Sequence, residues 1–596
     1  MPLWNVKSTF LLPRTRAFTL SNHRTKIWLL VAVLLSVLAT AEAYQGVILG
    51  GDDVLYTRLA SDMASGRPTF AINPHTSRLG FIAPLAGLYT LFGVHDWTTI
   101  AFPLFCTVAS ILAAAFGANR LYGAGSAPWA ALLCGLNPTL YRHGSVGMPD
   151  VPAGFLYGLF TLAWILVIAD RIRHRRTWAF LAGMSCGWAV ATRESTAPMI
   201  CLTVLGFLVL DRRASKLQRF PVIFFLIGAF LITIPYLFSF WYFTGNPFFF
   251  VDAAQKGFHV AGAPWLPPLE GWRFWIRMSG LSILRAAVEG YLFAVFPVII
   301  TLLLKQRFTL AENRNPTESY LLLATISPLL VLSHFSTSFT TWYPVHLDLR
   351  FGTPTIIPAS ILAAGGCIHL PSTKLPSRAR VGVFLAVGVS LALLVLSLKE
   401  QNLWSMTGAA ASVVAGAALL KINGQPKRLL PLVLVGLLTV SWLAYRLTEY
   451  PQFVERNTLL HQEGRAVPWD SSHPVLTDSV TGPYLSYLFG FSRELQLATW
   501  NGEQEPGPFL WTGQRDTPWP KPYLVVWYPR RAEVATGRWG GKVPGWVINE
   551  LKGQELILEL HDDSPANELV FDRLRDYTDE YQLWPKPGIY LILGKS

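Results

Sequence analysis

Charge is scarce in this 596-residue chain. Only 14% of residues are charged, with 36 Asp and Glu against 49 Lys and Arg. Cysteine is scarcer still. There are five (Cys106, Cys134, Cys186, Cys201 and Cys367), all in or beside apolar runs and none later in the chain. This excludes a disulfide framework and a cysteine-based zinc site, and leaves buried thiols acting as small hydrophobes as the expected use. No Gly-x-Gly-x-x-Gly and no Walker loop occurs, so no nucleotide-phosphate cradle is visible. His75, His95, His259, His334 and His346 lack the i, i+4 spacing of a helical metal site. No Ser-His-Asp or Cys-His arrangement stands out.

What the chain has in abundance is apolar sequence, 52% of residues with a mean hydropathy of +0.37. Long charge-free runs repeat through residue 447, the mark of a polytopic membrane protein. Candidate spans are 27–44, 97–117, 126–140, 149–169, 178–192, 196–210, 220–243, 285–304, 318–335, 353–370, 381–398, 404–420 and 430–447, about thirteen in all. The stretch 79–93 is short and contains Pro84, and reads as a helix along the interface. With a cytoplasmic N-terminus, the basic clusters around Arg14–Lys26, Arg171–Arg176, Arg212–Arg219, Lys305–Arg314, Lys374–Arg380 and Lys421–Arg428 fall on alternate loops. That is the positive-inside pattern, and it assigns the net charge of +13 to topology rather than to nucleic acid. The first apolar run lacks a small-residue cleavage site and reads as an anchor. An odd number of spans puts the C-terminal region outside. The expected location is the inner or plasma membrane, multi-pass.

Residues 1–449 therefore read as a transmembrane domain, and 450–596 as a soluble extracytoplasmic one. In the latter, Pro474–Asp478, Tyr523–Tyr528 and Gly588–Leu593 read as strands and Ser479–Phe489 as a helix, which suggests a small α/β domain. Its tryptophans, Trp500 and Trp527 among them, suit stacking on sugar faces as well as a core. Four outside segments, 46–97, 141–150, 244–280 and 335–350, can meet on one face of the bilayer and frame a cavity.

The residues suited to chemistry lie in those segments. Asp52 and Asp53 stand just past the first span; a pair of acids there is costly to desolvate. They suit a general base or a metal-binding pair, with a helix cap as the structural alternative. Asp150 opens another span after Pro149, where a cap would also serve. Arg142 and His143 lie just upstream, as interfacial anchors or ligand contacts. Arg193 is an outside arginine against the positive-inside trend, able to hold a phosphate bidentately; its structural alternative is an ion pair with Glu194, although adjacent helical residues do not face each other. Arg350 is the second such candidate, with Asp348 as its alternative partner.

In order along the chain, these residues resemble a known family, the GT-C membrane glycosyltransferases, in the branch of protein O-mannosyltransferases and the lipid A aminoarabinose transferase. The likeness is carried by Gly51-Asp52-Asp53-Val54-Leu55-Tyr56, Met148-Pro149-Asp150-Val151-Pro152, Tyr242-Phe243-Thr244-Gly245-Asn246-Pro247-Phe248 and Arg350-Phe351-Gly352-Thr353-Pro354 through Pro358. Ala191-Thr192-Arg193 is similar to the family's Leu-Thr-Lys or Leu-Thr-Arg segment. Two departures are Asp53, where the family often has Glu, and Phe351, where Tyr is common.

The resemblance implies an all-α polytopic GT-C fold with a small extracytoplasmic α/β domain. It also implies a sugar donor on a polyprenyl phosphate and a glycan, lipid or protein acceptor. Asp52 would be the base of an inverting displacement, Asp53 or Asp150 would orient the acceptor or steady the developing positive charge, and Arg193 and Arg350 would neutralise the leaving phosphate. Tyr56 and Arg142 complete the expected substrate contacts. A divalent cation is permitted by the two acids, but the branch generally works without one. The alternative class is a transporter or flippase of polyprenyl-linked sugars. It would favour polar residues at the bilayer midplane, whereas the spans here are nearly free of acids. A third reading is a sugar-binding scaffold built on the Trp-rich region.

Overall fold

The computed structural model describes residues 23–42, 52–70, 74–169, 174–211, 219–253, 316–334 and 349–369, five short strands between 475 and 592, and isolated helical positions between 387 and 487. The span expected at 285–304, most of those at 381–398, 404–420 and 430–447, most of the third and fourth outside segments and most of the helix expected at 479–489 lie outside the described residues.

The first apolar run forms α1 (His23–Glu42). Two helices follow before the next long apolar helix, α2 (Asp52–Ala64) and α3 (Leu79–Phe92). Then come α4 (Asp96–Tyr122), α5 (Ala127–Gly135), α6 (Pro138–His143), α7 (Asp150–Ala169), α8 (Arg175–Thr192), α9 (Thr196–Asp211) and α10 (Arg219–Thr244). Late in the membrane part stand α11 (Pro316–His334) and α12 (Ile356–His369), the latter preceded by a 3-10 turn, Leu349–Thr355. Among the described residues, three helical segments are long and apolar enough to cross a membrane: Asp96–Tyr122, Asp150–Ile168 and Pro221–Thr244. Shorter apolar segments are Thr25–Ala41, Leu79–Phe92, Thr196–Leu210 and Thr317–Leu332.

One expected span is broken. The run 126–140 forms α5, of 9 residues, and α6, of 6. The break falls where Asn137 caps α6, its side chain accepting from Thr139 N at 3.0 Å, and Pro138 occupies the first helical position. Nine helical residues rise only about 14 Å, against roughly 30 Å of hydrocarbon. Hydropathy does not register such a stop, because Pro and Asn cost the average little. The Gly245-Asn246-Pro247 motif is another stop. Gly245, at φ 73°, ends α10, its N–H donating to Trp241 O at 2.9 Å, and Asn246 Oδ1 accepts from Phe248 N at 2.9 Å.

Small residues set the helix spacing. Gly183 and Gly187, one turn apart on α8, lie against Gly228 and Ala229 of α10; a Cβ on Gly183 would meet the Phe225 carbonyl, and one on Gly228 the Phe180 carbonyl. Without a hydrophobic driving force in lipid, such backbone approach is how helices associate. Gly183→Leu is therefore expected to push α8 and α10 apart and cost about 1–3 kcal/mol or more. It would be read as a lowered melting temperature in detergent, whereas Gly87→Ala, at a site with no atom within 4 Å of the new Cβ, leaves it unchanged. The main core is rich in alanine, with Ala114 and Ala118 of α4, Ala130 and Ala131 of α5 and Ala363 and Ala364 of α12 around Tyr157 and Phe160 of α7. Tyr157 Oη bonds Thr203 Oγ1 at 2.7 Å and donates to the Ala324 carbonyl at 3.0 Å, tying α7, α9 and α11 with a satisfied polar group.

A second cluster sets Tyr56, Leu59 and Ala60 of α2 on Phe81, Ile82, Leu85, Ala86 and Tyr89 of α3. Trp188 Nε1 donates to Gly80 O at 2.8 Å and so fastens α3 to α8. The chain segment before α3 is held by Tyr236 Oη donating to Ser77 O at 3.0 Å. These bonds place α2 over the end of the bundle where α7 begins and α8 ends.

The five strands, β1 (Val475–Asp478), β2 (Leu497–Trp500), β3 (Tyr523–Trp527), β4 (Leu556–Glu559) and β5 (Gly588–Ile592), form one sheet of order β2-β1-β3-β5-β4. β2, β1 and β3 run parallel, and β5 pairs antiparallel with both β3 and β4. β1, β3 and β5 coincide with the three expected strands. β2 and β4 were not expected, although β4 carries the apolar run Leu556-Ile557-Leu558. Tyr487, a helical position, is buried, its hydroxyl donating to Asp96 Oδ1 at 3.0 Å and bonding Thr99 Oγ1 at 3.0 Å.

Candidate active site

α2 starts at Asp52 with two acids in its first turn, where the helix dipole favours negative charge. Successive helical residues point about 100° apart, so the two carboxylates part company. Asp53 faces the core and is fully buried, while Asp52 is partly exposed. Tyr56, one turn on, shares the Asp52 side of the helix.

Asp52 has two neighbours from distant parts of the chain. Arg350 Nη2 lies 3.2 Å from its Oδ2, and His75 Nε2 lies 3.8 Å from its Oδ1. His75 Nδ1 in turn bonds Tyr56 Oη at 2.8 Å. Burial pushes the Asp52 carboxyl up, but His75, Arg350 and Arg78 together outweigh it and hold the group below the usual carboxylate value. Burial also pushes the His75 imidazole below its ordinary value, in excess of the pull of Asp52. Arg350 and Arg78 are the permanent positive charges that act on Asp52.

Asp150, at the start of α7, is buried and ion-paired with Arg193, which follows the last residue of α8. The Asp150 carbonyl accepts from Thr353 Oγ1 at 2.7 Å, which fixes the 349–355 turn on α7. That turn carries Arg350, whose Nη1 lies 3.3 Å from Met148 Sδ. It also carries Phe351, whose ring centroid is 3.9 Å from the Arg193 guanidinium carbon and 5.3 Å from that of Arg350. A third pair completes the cluster. Arg78 Nε and Nη2 reach the two Glu194 oxygens at 3.3 and 3.4 Å, and its guanidinium lies 5.5 Å from the Tyr56 ring centroid. Burial pushes the Glu194 carboxyl up, yet Arg78, a backbone hydrogen bond and Arg193 hold it below its usual value.

Of the residues singled out from sequence, Asp52, Tyr56, Asp150, Arg193 and Arg350 thus converge. Arg142 stands half-buried in the last turn of α6, which packs on the turn bearing Arg350. The structural alternative for Arg193 is corrected: its partner is Asp150, and Glu194 belongs to Arg78. Asp348 lies outside the described residues. Sequence reasoning missed His75, Arg78 and Glu194 as members of the cluster. The signal for Arg78 was present, a cation opening an apolar helix in an outside loop. Among the described residues no three His, Cys, Asp or Glu side chains gather as metal ligands.

Chemically, the cluster presents one partly exposed carboxylate beside two guanidiniums, at the end of the bundle where α7 begins and α8 ends. It can accept a proton at Asp52 and hold an anion at the arginines.

Residues 81–239 match the family model of dolichyl-phosphate-mannose-protein mannosyltransferases. No curated protein matches the chain. ArnT from Cupriavidus metallidurans in the apo state aligns at 14% identity with a TM-score of 0.55, covering 86% of this chain and 95% of that one. The same protein bound to undecaprenyl phosphate aligns at 14% identity and 0.53 over the same shares. An oligosaccharyltransferase from Archaeoglobus fulgidus, in complex with Zn and sulfate, aligns at 13% and 0.40 over 77% of this chain and 61% of that one, too distant to bear on the site. In sequence over residues 81–239 and in fold over most of its length, then, the chain resembles the GT-C membrane glycosyltransferases.

Proposed function

We propose that the protein transfers a sugar from a polyprenyl-phosphate donor to an acceptor hydroxyl at the extracytoplasmic face of the membrane, with inversion at the sugar's C1. The observation that carries this reading is the Asp52–Arg350 pair, which joins the start of α2 to a turn 298 residues later and keeps a carboxylate ionised and reachable. The fold it shares with ArnT, a protein seen bound to undecaprenyl phosphate, supports a lipid-linked donor.

The acceptor hydroxyl gives its proton to Asp52 as its oxygen bonds C1. The bond from C1 to the phosphate oxygen breaks, and the electron pair leaves with the phosphate. Arg350 and Arg193 meet that charge, a preorganised stabilisation of the kind whose loss costs about 3 kcal/mol. Asp150 holds Arg193 in place. Asp53, facing the core, would act through the seating of α2.

The test is direct. Purified chain is given a panel of polyprenyl-phosphate sugars and candidate acceptors, and the products are examined by NMR. Release of polyprenyl phosphate in step with an anomerically inverted product is expected. Movement of intact donor across a liposome bilayer, with no cleavage at C1, would instead make the protein a transporter.

A further inference from the structure

Phe351 is the aromatic side chain that both candidate phosphate-binding arginines contact. Arg350 is its chain neighbour on the 3-10 turn, while Arg193 arrives from the junction of α8 and α9. Two guanidiniums repel each other, and each is drawn to a different carboxylate, Asp52 or Asp150. Left to those attractions alone, they would have no reason to face one ligand. The ring opposes the separation. Its π face attracts a cation, more strongly where water is kept away. Arg193 is buried, with its guanidinium carbon 3.9 Å from the ring centroid. The guanidinium carbons can lie no farther apart than their two distances to that centroid laid end to end.

The turn that carries the ring is anchored on α7. Thr353 Oγ1 anchors the turn to the Asp150 carbonyl, and Gly154 of α7 meets Thr353 so closely that a Cβ there would lie 2.8 Å from the Thr353 carbonyl carbon.

We propose that Phe351 is a positioning residue that gathers Arg193 and Arg350 to a single anionic group, the phosphate of the lipid donor. This rests on the proposed glycosyl transfer and adds to it the means by which the phosphate site is assembled. A leucine at this position fills much of the space without a π face; a tyrosine keeps the face.

The experiment measures undecaprenyl phosphate binding to the purified full chain in detergent, and transfer kinetics with the lipid-linked donor. Phe351→Leu should weaken binding about tenfold or more, raise the donor KM and also lower kcat, because the arginines it gathers meet the charge on the leaving phosphate. Phe351→Tyr should stay within about twofold of the natural chain. If Leu prevents folding, Phe351→Met replaces it. Binding within about twofold in the aliphatic variant, or an equal loss in the tyrosine variant, would overturn the proposal. Should the natural chain neither bind undecaprenyl phosphate nor transfer sugar, the glycosyl-transfer reading itself fails, which is a different outcome.

Discussion

Asp52→Asn is expected to lower sugar transfer by about 10²–10⁴-fold, the range lost with a general base, while the protein still folds and inserts. The amide matches the carboxylate in shape and still accepts one hydrogen bond from Arg350, so the start of α2 keeps its seat. It cannot take a proton. The sign of the pH dependence follows from the surroundings. Asp52 is held below the usual carboxylate value, so kcat/KM should be flat around neutral pH and fall only as pH drops through that depressed value. Arg350→Ala removes a lowering influence and leaves burial to act with less opposition. The acid limb should then move to higher pH, in addition to any loss of donor binding. Transfer by the Asp52→Asn protein at near-natural rates would take the base assignment away, and an acid limb unmoved by Arg350→Ala would separate Arg350 from it.

Asp150→Ala should cost more in stability than any other single change in the cluster, about 3–5 kcal/mol. Both partners of the Asp150–Arg193 pair are nearly excluded from solvent, with side chains 4% and 10% exposed. Removing the carboxylate strands a guanidinium there. Phe351 supplies only part of the lost attraction, since a cation–π contact is worth about 2 kcal/mol when desolvated. The measurement is the melting temperature in detergent. Replacing both members together, Asp150→Leu with Arg193→Met, should restore much of the stability, because a well-packed apolar pair needs no compensation. It should not restore transfer. A melting temperature unchanged in Asp150→Ala would show that the pair contributes little to the fold. Full recovery of transfer in the double variant would remove Arg193 from the site.

Much of this arrangement was legible in the residues. Helix positions followed from apolar length, and α4, α7 and α10 lie where the runs at 97–117, 149–169 and 220–243 place them. The motifs at Asp52, Asp150, Arg193 and Arg350 stood out because charge is costly near a membrane. The interruption at Asn137-Pro138 was written in the sequence as a cap followed by proline, but a hydropathy average passes over it. Strand β2 was not legible, since Leu497–Trp500 carries too few alternations to set a period, whereas Leu556-Ile557-Leu558 of β4 was an apolar run that the reading passed over.

Local order is a matter of neighbours within a turn or two, and there apolar periodicity, caps and charge suffice to locate the helices and to bring the reactive residue types to their ends. Partnership among those residues is a different matter. That Asp52 meets Arg350, that Arg193 turns to Asp150 rather than to adjacent Glu194, and that Glu194 takes Arg78 were decided by packing alone. The α2–α3 cluster and the turn at 349–355 bring these groups within hydrogen-bonding range across stretches of chain that no local pattern spans. Electrostatic pairing depends on distance in space and on desolvation, and both come into being only when the helices assemble.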